Sequence, residues 1–292
     1  MTLYTTGERT DRRRAVRQLV AFFCMTFAIT WGLGALLLFA KPTLEAALGP
    51  MGDINHHWLF YVAVYAPTIS AVTLSLVFGG WDGLRALALQ LLRPMRLRWM
   101  LAAAFTWPAA FAVGELAMWA LGVGAGVDLH ALGVGAPVLA LTTWALVSDP
   151  GGLGEEMGWR GFALPRLHTL CRPLSAAILL GLIIGVWHLP AFFVSDLSQS
   201  KFDFGWFILG NVSMTVFMSW IFVNANGNVL VAGIVPHLTL NLLFDAHVFR
   251  GDVGFRLESI VLTLVAAALV AIFSPNLRGW PRQASPPFVR AA

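Results

Sequence analysis

Charge is what this sequence has least of. Asp, Glu, Lys and Arg make up 12% of its 292 residues, against roughly 25% in an ordinary soluble domain. A soluble fold of this length needs a polar surface that these residues do not supply. A bilayer accepts apolar surface and requires only that backbone groups be satisfied within helices or closed barrels. Cysteine is nearly absent, with two in all, and Cys24 and Cys171 show neither metal-ligand spacing nor an evident pairing, so both read as free thiols. The basic excess, 19 Lys and Arg against 15 Asp and Glu, is spread over short segments that flank apolar runs. That pattern fits membrane orientation and argues against a nucleic-acid partner. Familiar hydrolase signatures are missing too, with no HExxH and no GxSxG.

What is present is apolar. Hydrophobic residues make up 58% of the chain and the mean hydropathy is +0.74. The runs are long and rich in Leu and Ala without period-2 alternation, which favours helices over a barrel. A span needs about 20 apolar residues, and that rule predicts spans near 18–40, 58–79, 99–121, 136–157, 174–194, 205–223, 229–245 and 256–274. The fourth is broken by "SDPGGLG", whose Pro150 and glycines bend or end a helix just before Glu155. The expected fold is therefore all-α, a polytopic membrane bundle of about eight transmembrane helices enclosing a polar cavity. It forms a single domain over 1–274, followed by a short, Pro-rich, disordered cytoplasmic tail over 275–292. The arginine-rich segment before the first run resembles the start of a signal peptide, but the apolar stretch after it is too long and has no small-residue cleavage site, so it reads as a span.

Eight spans with both termini cytoplasmic place fifteen of the 19 basic residues inside, and leave Lys41, Lys201, Arg250 and Arg256 outside. The chain then reads as a multi-pass cell-membrane protein.

Ionisable groups at membrane depth are costly, so each is a functional candidate by default. In "GLGEEMGWRG", Glu156 and Arg160 are four apart and face one side of a helix. Glu155, rotated by about 100°, faces another. One glutamate is neutralised and the other stays available, placed by this reading at the cytoplasmic end of a membrane cavity. "GVWHLP" carries His188 within an apolar run, and "PHLTLN" puts His237 and Asn241 on one helix face. Glu115, in the third run, belongs to no motif, and its role stays open among second-shell partner, proton relay and cavity-facing group. Glu155, His188, His237 and Asn241 together offer a carboxylate, two imidazoles and an amide. That set suits activation of water and stabilisation of an oxyanion, the requirements of amide hydrolysis. Glu155, His188 and His237 also form a three-ligand set for zinc with a fourth position for water.

These residues resemble a known family. "EEMGWR" is similar to the EExxxR motif of the CPBP intramembrane proteases, which include CAAX prenyl endopeptidases and bacteriocin-immunity relatives. His188 corresponds to the histidine of the family's FxxxH motif, with Ile184 in place of the aromatic residue, and His237 with Asn241 corresponds to HxxxN. The resemblance covers residues 148–244. It implies an endopeptidase in which Glu155 and His188 activate water, His237 and Asn241 stabilise the oxyanion, and Glu156 with Arg160 holds the site in shape. The implied partners are a peptide or membrane-protein substrate and the lipid bilayer. Whether zinc takes part is left open, as is cleavage of prenylated CAAX tails. A non-catalytic immunity or partner-binding protein on the same scaffold is the alternative. A proton-coupled transporter is disfavoured because the sequence lacks inverted repeats and paired broken helices.

Overall fold

The computed structural model describes residues 6–120, 150–245, 251–273 and 276–277. Every regular element among them is helical. The first is α1 (Thr6–Phe39), followed by the short α2 (Lys41–Leu48) and α3 (Trp58–Val64), then α4 (Ala66–Leu89) and α5 (Leu97–Ala120). After residues 121–149, α6 (Pro150–Glu156) runs directly into a π-helical segment, π1 (Met157–Ala163), and on into α7 (Leu164–His168). Then come α8 (Pro173–Trp187), α9 (Phe204–Asn224), a second π segment π2 (Leu230–Ile234) continuous with α10 (Val235–Asp245), and α11 (Gly251–Phe273).

Three stretches are long and apolar enough to cross a membrane, Thr10–Phe39, Ala66–Leu92 and Phe204–Asn224, with shorter apolar helices at Pro173–Trp187, Leu230–Leu243 and Ser259–Phe273. This is the composition of a multi-pass membrane protein. The outer surface agrees, with Phe39, Trp81, Leu92, Phe105 and Trp119 all well exposed. Large apolar side chains displayed this way suit a lipid surround rather than water.

Several predicted spans take a different shape. The run at 58–79 is divided at Tyr65 into α3 and α4, because Pro67 opens a helix more readily than it continues one. α4 then reaches Leu89 across a kink at Gly80, whose φ of 58° is open to a residue without Cβ. The run at 174–194 ends as an α-helix at Trp187, with a 3₁₀ turn over Leu189–Phe192 that begins one residue before Pro190. Of the run at 136–157, residues 136–149 lie outside the described residues. The rest does not stop at Met157 but continues to His168. The charged cluster there reads as a helix end in sequence, yet Glu156 and Arg160 are both fully buried in the bundle interior.

The core is aromatic. Phe22 stands edge-on to Trp159, centroids 5.5 Å apart, and stacks on Phe162 at 5.2 Å. Trp159 meets Trp187 edge-on at 5.5 Å, and Trp107 packs on Phe217 at 4.3 Å. Indole hydrogen bonds tie α1 to α8, as Trp187 Nε1 donates to Thr30 Oγ1 (2.9 Å) and Trp31 Nε1 donates to the Trp187 carbonyl (3.1 Å). α8 packs on α9 through glycines, since a Cβ at Gly181 would sit 2.6 Å from Val212 Cα. Small residues at helix contacts let backbones approach in this way. Gly181→Val is therefore expected to destabilise the bundle by about 1–3 kcal/mol from overpacking. Thermal unfolding in detergent checks this, and an unchanged midpoint would show that α8 and α9 do not pack here.

The two ends of the bundle differ. At one end, Arg12 Nη2 donates to the Leu170 carbonyl (3.2 Å), Arg166 Nε donates to Gln18 Oε1 (2.8 Å) and Asn228 Nδ2 donates to the Arg93 carbonyl (2.6 Å). This end gathers the start of α1, the α4–α5 and α7–α8 connections and the α9–π2 turn. The opposite end gathers the α1–α3 and α8–α9 connections. There Lys41 pairs with Asp196 at 3.5 Å, and Asn55 Nδ2 donates to the Asp196 carbonyl (3.1 Å).

Candidate active site

Both π segments lie beside the acidic motif. A π turn inserts a residue into the i→i−4 ladder and re-aims the side chains around it, and such turns recur at functional sites. Here π1 begins one residue after Glu156, and π2 leads into the helix that carries His237. Gly233 in π2 gives the acidic motif its room. A Cβ there would lie 2.6 Å from Glu156 Oε2, so the carboxylate occupies space that a side chain would take.

Glu156 is the hub of a buried charge network. Arg160 Nη1 donates to its Oε1 at 2.9 Å, and His237 Nδ1 donates to the same oxygen at 2.7 Å. Arg160 Nη2 reaches across to Thr215 Oγ1 on α9 at 3.1 Å. Three segments of the chain are thus joined through the Glu156–Arg160 pair. The Glu156–Arg160 pair is the one expected from their spacing. The links to His237 and Thr215 have no signal in local spacing, because they cross between helices far apart in the chain.

Glu155 turns away from this network. It is buried, and the Trp159 indole Nε1 donates to its Oε2 at 3.2 Å. The position of Trp159 four residues after Glu155 is the sequence signal for this contact. His188 caps α8, and its Nδ1 donates to the Ile184 carbonyl at 2.9 Å. A carbonyl only accepts, so the proton is on Nδ1 and neutral His188 presents Nε2 as an acceptor. Its ring is held edge-on between Trp187 (4.6 Å) and Phe207 (5.0 Å). Position 184 therefore contributes its backbone to His188 whatever its side chain.

Glu155, His188, His237 and Asn241 all line one cavity of about 610 Å³, which Glu156 and Arg160 do not reach. The cavity continues past His188 along Pro190, Val194 and Ser198, and past Asp53 and Asn55. It thus leads to the end of the bundle opposite the arginines that bond Leu170, Gln18 and Gly227. Glu155 therefore stands toward the Arg-poor end of the bundle rather than the arginine-rich one. α6 starts at Pro150 beside the other end, so Glu155 lies within two helical turns of it, while the rest of the helix runs on through the bundle. Glu115 lies in α5, and its side chain is outside the described residues.

Among the described residues, no group of three or more His, Cys, Asp or Glu side chains stands close enough to hold a metal ion. Cys24 and Cys171 are free thiols, as expected.

Within this helical bundle a buried carboxylate and two imidazoles thus line one cavity, and comparison with known proteins narrows the class. Residues 136–243 match the family model described as type II CAAX prenyl endopeptidase Rce1-like. The chain is 30% identical over 122 residues to CAAX prenyl protease 2 of Methanococcus maripaludis, an alignment covering 40% of this chain and 44% of that protein. The aligned segment thus spans less than half the length of that relative. The matched segment is similar to that family, and Glu155, Glu156, Arg160, His188, His237 and Asn241 all fall inside it.

Proposed function

We propose that the chain is an intramembrane endopeptidase that hydrolyses a peptide bond with a glutamate-activated water. It would be built as one membrane domain over residues 1–274 with about eight spans and both termini cytoplasmic. The observation that supports this most is the convergence of Glu155, His188, His237 and Asn241 on one cavity from three separate helices. In this reading a water sits between Glu155 and the substrate carbonyl. Glu155 takes one water proton as the oxygen attacks the carbonyl carbon, while His188 Nε2 accepts a hydrogen bond from the other and fixes its direction. The oxyanion receives hydrogen bonds from Asn241 Nδ2 and His237 Nε2. His237 Nδ1 already donates to Glu156, so donation through Nε2 requires both ring protons. The Glu156 carboxylate at 2.7 Å then faces the resulting imidazolium as its counter-charge. The proton held by Glu155 passes to the leaving amine, which completes the hydrolysis.

Trp159 positions the base without touching substrate. Trp159→Phe keeps most of the ring packing against Phe22 and Trp187 and removes only the indole donor to Glu155. The expected result is roughly a 10- to 100-fold loss of turnover, in line with about 1.5–3 kcal/mol for a hydrogen bond to a charged group, with substrate KM little changed. Equal turnover in the variant would remove Trp159 from the mechanism.

The test of the activity is incubation of detergent-purified protein with a broad peptide pool, with and without a chelator. The glutamate-activated route predicts cleavage that persists with the chelator. Cleavage abolished by chelator and restored by zinc would overturn the glutamate-only route, and no cleavage by folded protein would favour the non-catalytic immunity or partner-binding scaffold.

A further inference from the structure

The direction in which the cavity opens carries a consequence for substrate class. Basic residues are strongly biased to one end of the bundle. Arg12, Arg93, Arg96, Arg98, Arg166 and Arg172 all lie in the segments gathered there. Among the described residues, the connections at the opposite end hold Lys41 and Lys201, and α11 carries Arg256. Arg160, fully buried against Glu156, belongs to neither surface. Short loops rich in Lys and Arg are retained in the cytoplasm.

The cavity wall runs from Glu155 and His188 to Asp53, Asn55, Ser198 and Gln199, all in the connections at the Arg-poor end. The rim there is braced. Asp53 accepts from the Asn55 backbone (3.0 Å), while Asn55 and Lys41 both bind Asp196 of the facing connection. From these observations we infer that the catalytic cavity is entered from the extracytoplasmic side. Its substrates are then peptide segments exposed on that side of the membrane, such as exported chains or the outer juxtamembrane parts of membrane proteins, rather than cytoplasmic tails. The substrate half of this inference rests on the proposed endopeptidase activity, and the orientation half does not.

The experiment separates the two halves. Ser198→Cys puts a thiol on the exposed rim of the cavity, and Arg96→Cys puts one on the exposed surface of the opposite end, each in a background with Cys24 and Cys171 changed to Ser. Both variants must label with a membrane-impermeant maleimide after detergent solubilisation, which establishes that each thiol is reachable. In intact cells the expected result is labelling at Ser198→Cys and not at Arg96→Cys, reversed in inverted membrane vesicles. The opposite pattern, or equal labelling of both variants in intact cells, overturns the inference. A peptide found to be cleaved in detergent is then supplied to the outside of intact cells and to inverted vesicles. Cleavage by intact cells alone is expected, and cleavage by inverted vesicles alone overturns the substrate assignment. Correct labelling with no cleavage by the detergent-purified protein leaves the orientation standing and removes the protease reading.

Discussion

Replacing Arg160 with methionine is expected to cost about 3–5 kcal/mol of stability, the usual penalty for removing one partner of a buried ion pair. Glu156 and Arg160 are fully buried, so the remaining carboxylate would keep only His237 as a partner in a site that water does not reach. Arg160 also reaches Thr215, and its loss frees α9 from the π1 segment. The double variant Glu156→Gln with Arg160→Met should lose less than the single one, because it leaves no uncompensated charge behind. Thermal unfolding of the three proteins in one detergent measures both effects. A single variant as stable as wild type would mean that the network does not hold the bundle together.

Glu155→Gln is expected to do the reverse, changing chemistry and sparing the fold. The amide keeps the size of the carboxylate and can still accept from Trp159, but it cannot take a proton from water. Positioned general bases contribute about 10²–10⁴-fold, so turnover should fall by that factor with KM and the unfolding midpoint nearly unchanged. A comparable fall in stability would assign Glu155 to the structural network with Glu156, and an unchanged turnover would remove it from the reaction.

Much of this was legible in the sequence because the signals are local. The apolar runs that became α5, α9 and α10 stand out against a chain this poor in charge. The spacing of Glu156 and Arg160 defines their ion pair directly, since residues four apart share a helix face. The same spacing places His237 and Asn241 on one face of α10. What was not legible is tertiary. Nothing near Glu156 indicates that its second partner is His237, or that Gly233 vacates the space for its carboxylate. The π turns have no propensity signature, so the sequence around Arg160 resembles a helix end although the helix continues to His168. Charges that neutralise one another in the interior resemble, in sequence, charges that reach water. The sequence likewise carries no signal that the cavity beside Glu155 runs along Pro190 and Ser198, away from the arginine-rich end.

The most direct test of the central claim is to map new peptide termini by mass spectrometry after incubating a membrane-peptide pool with wild type or Glu155→Gln, at equal concentrations of folded protein. A defined set of new termini is expected with wild type that is absent, or reduced by at least about 10²-fold, with the variant. The same termini at the same rate from both proteins would contradict that claim.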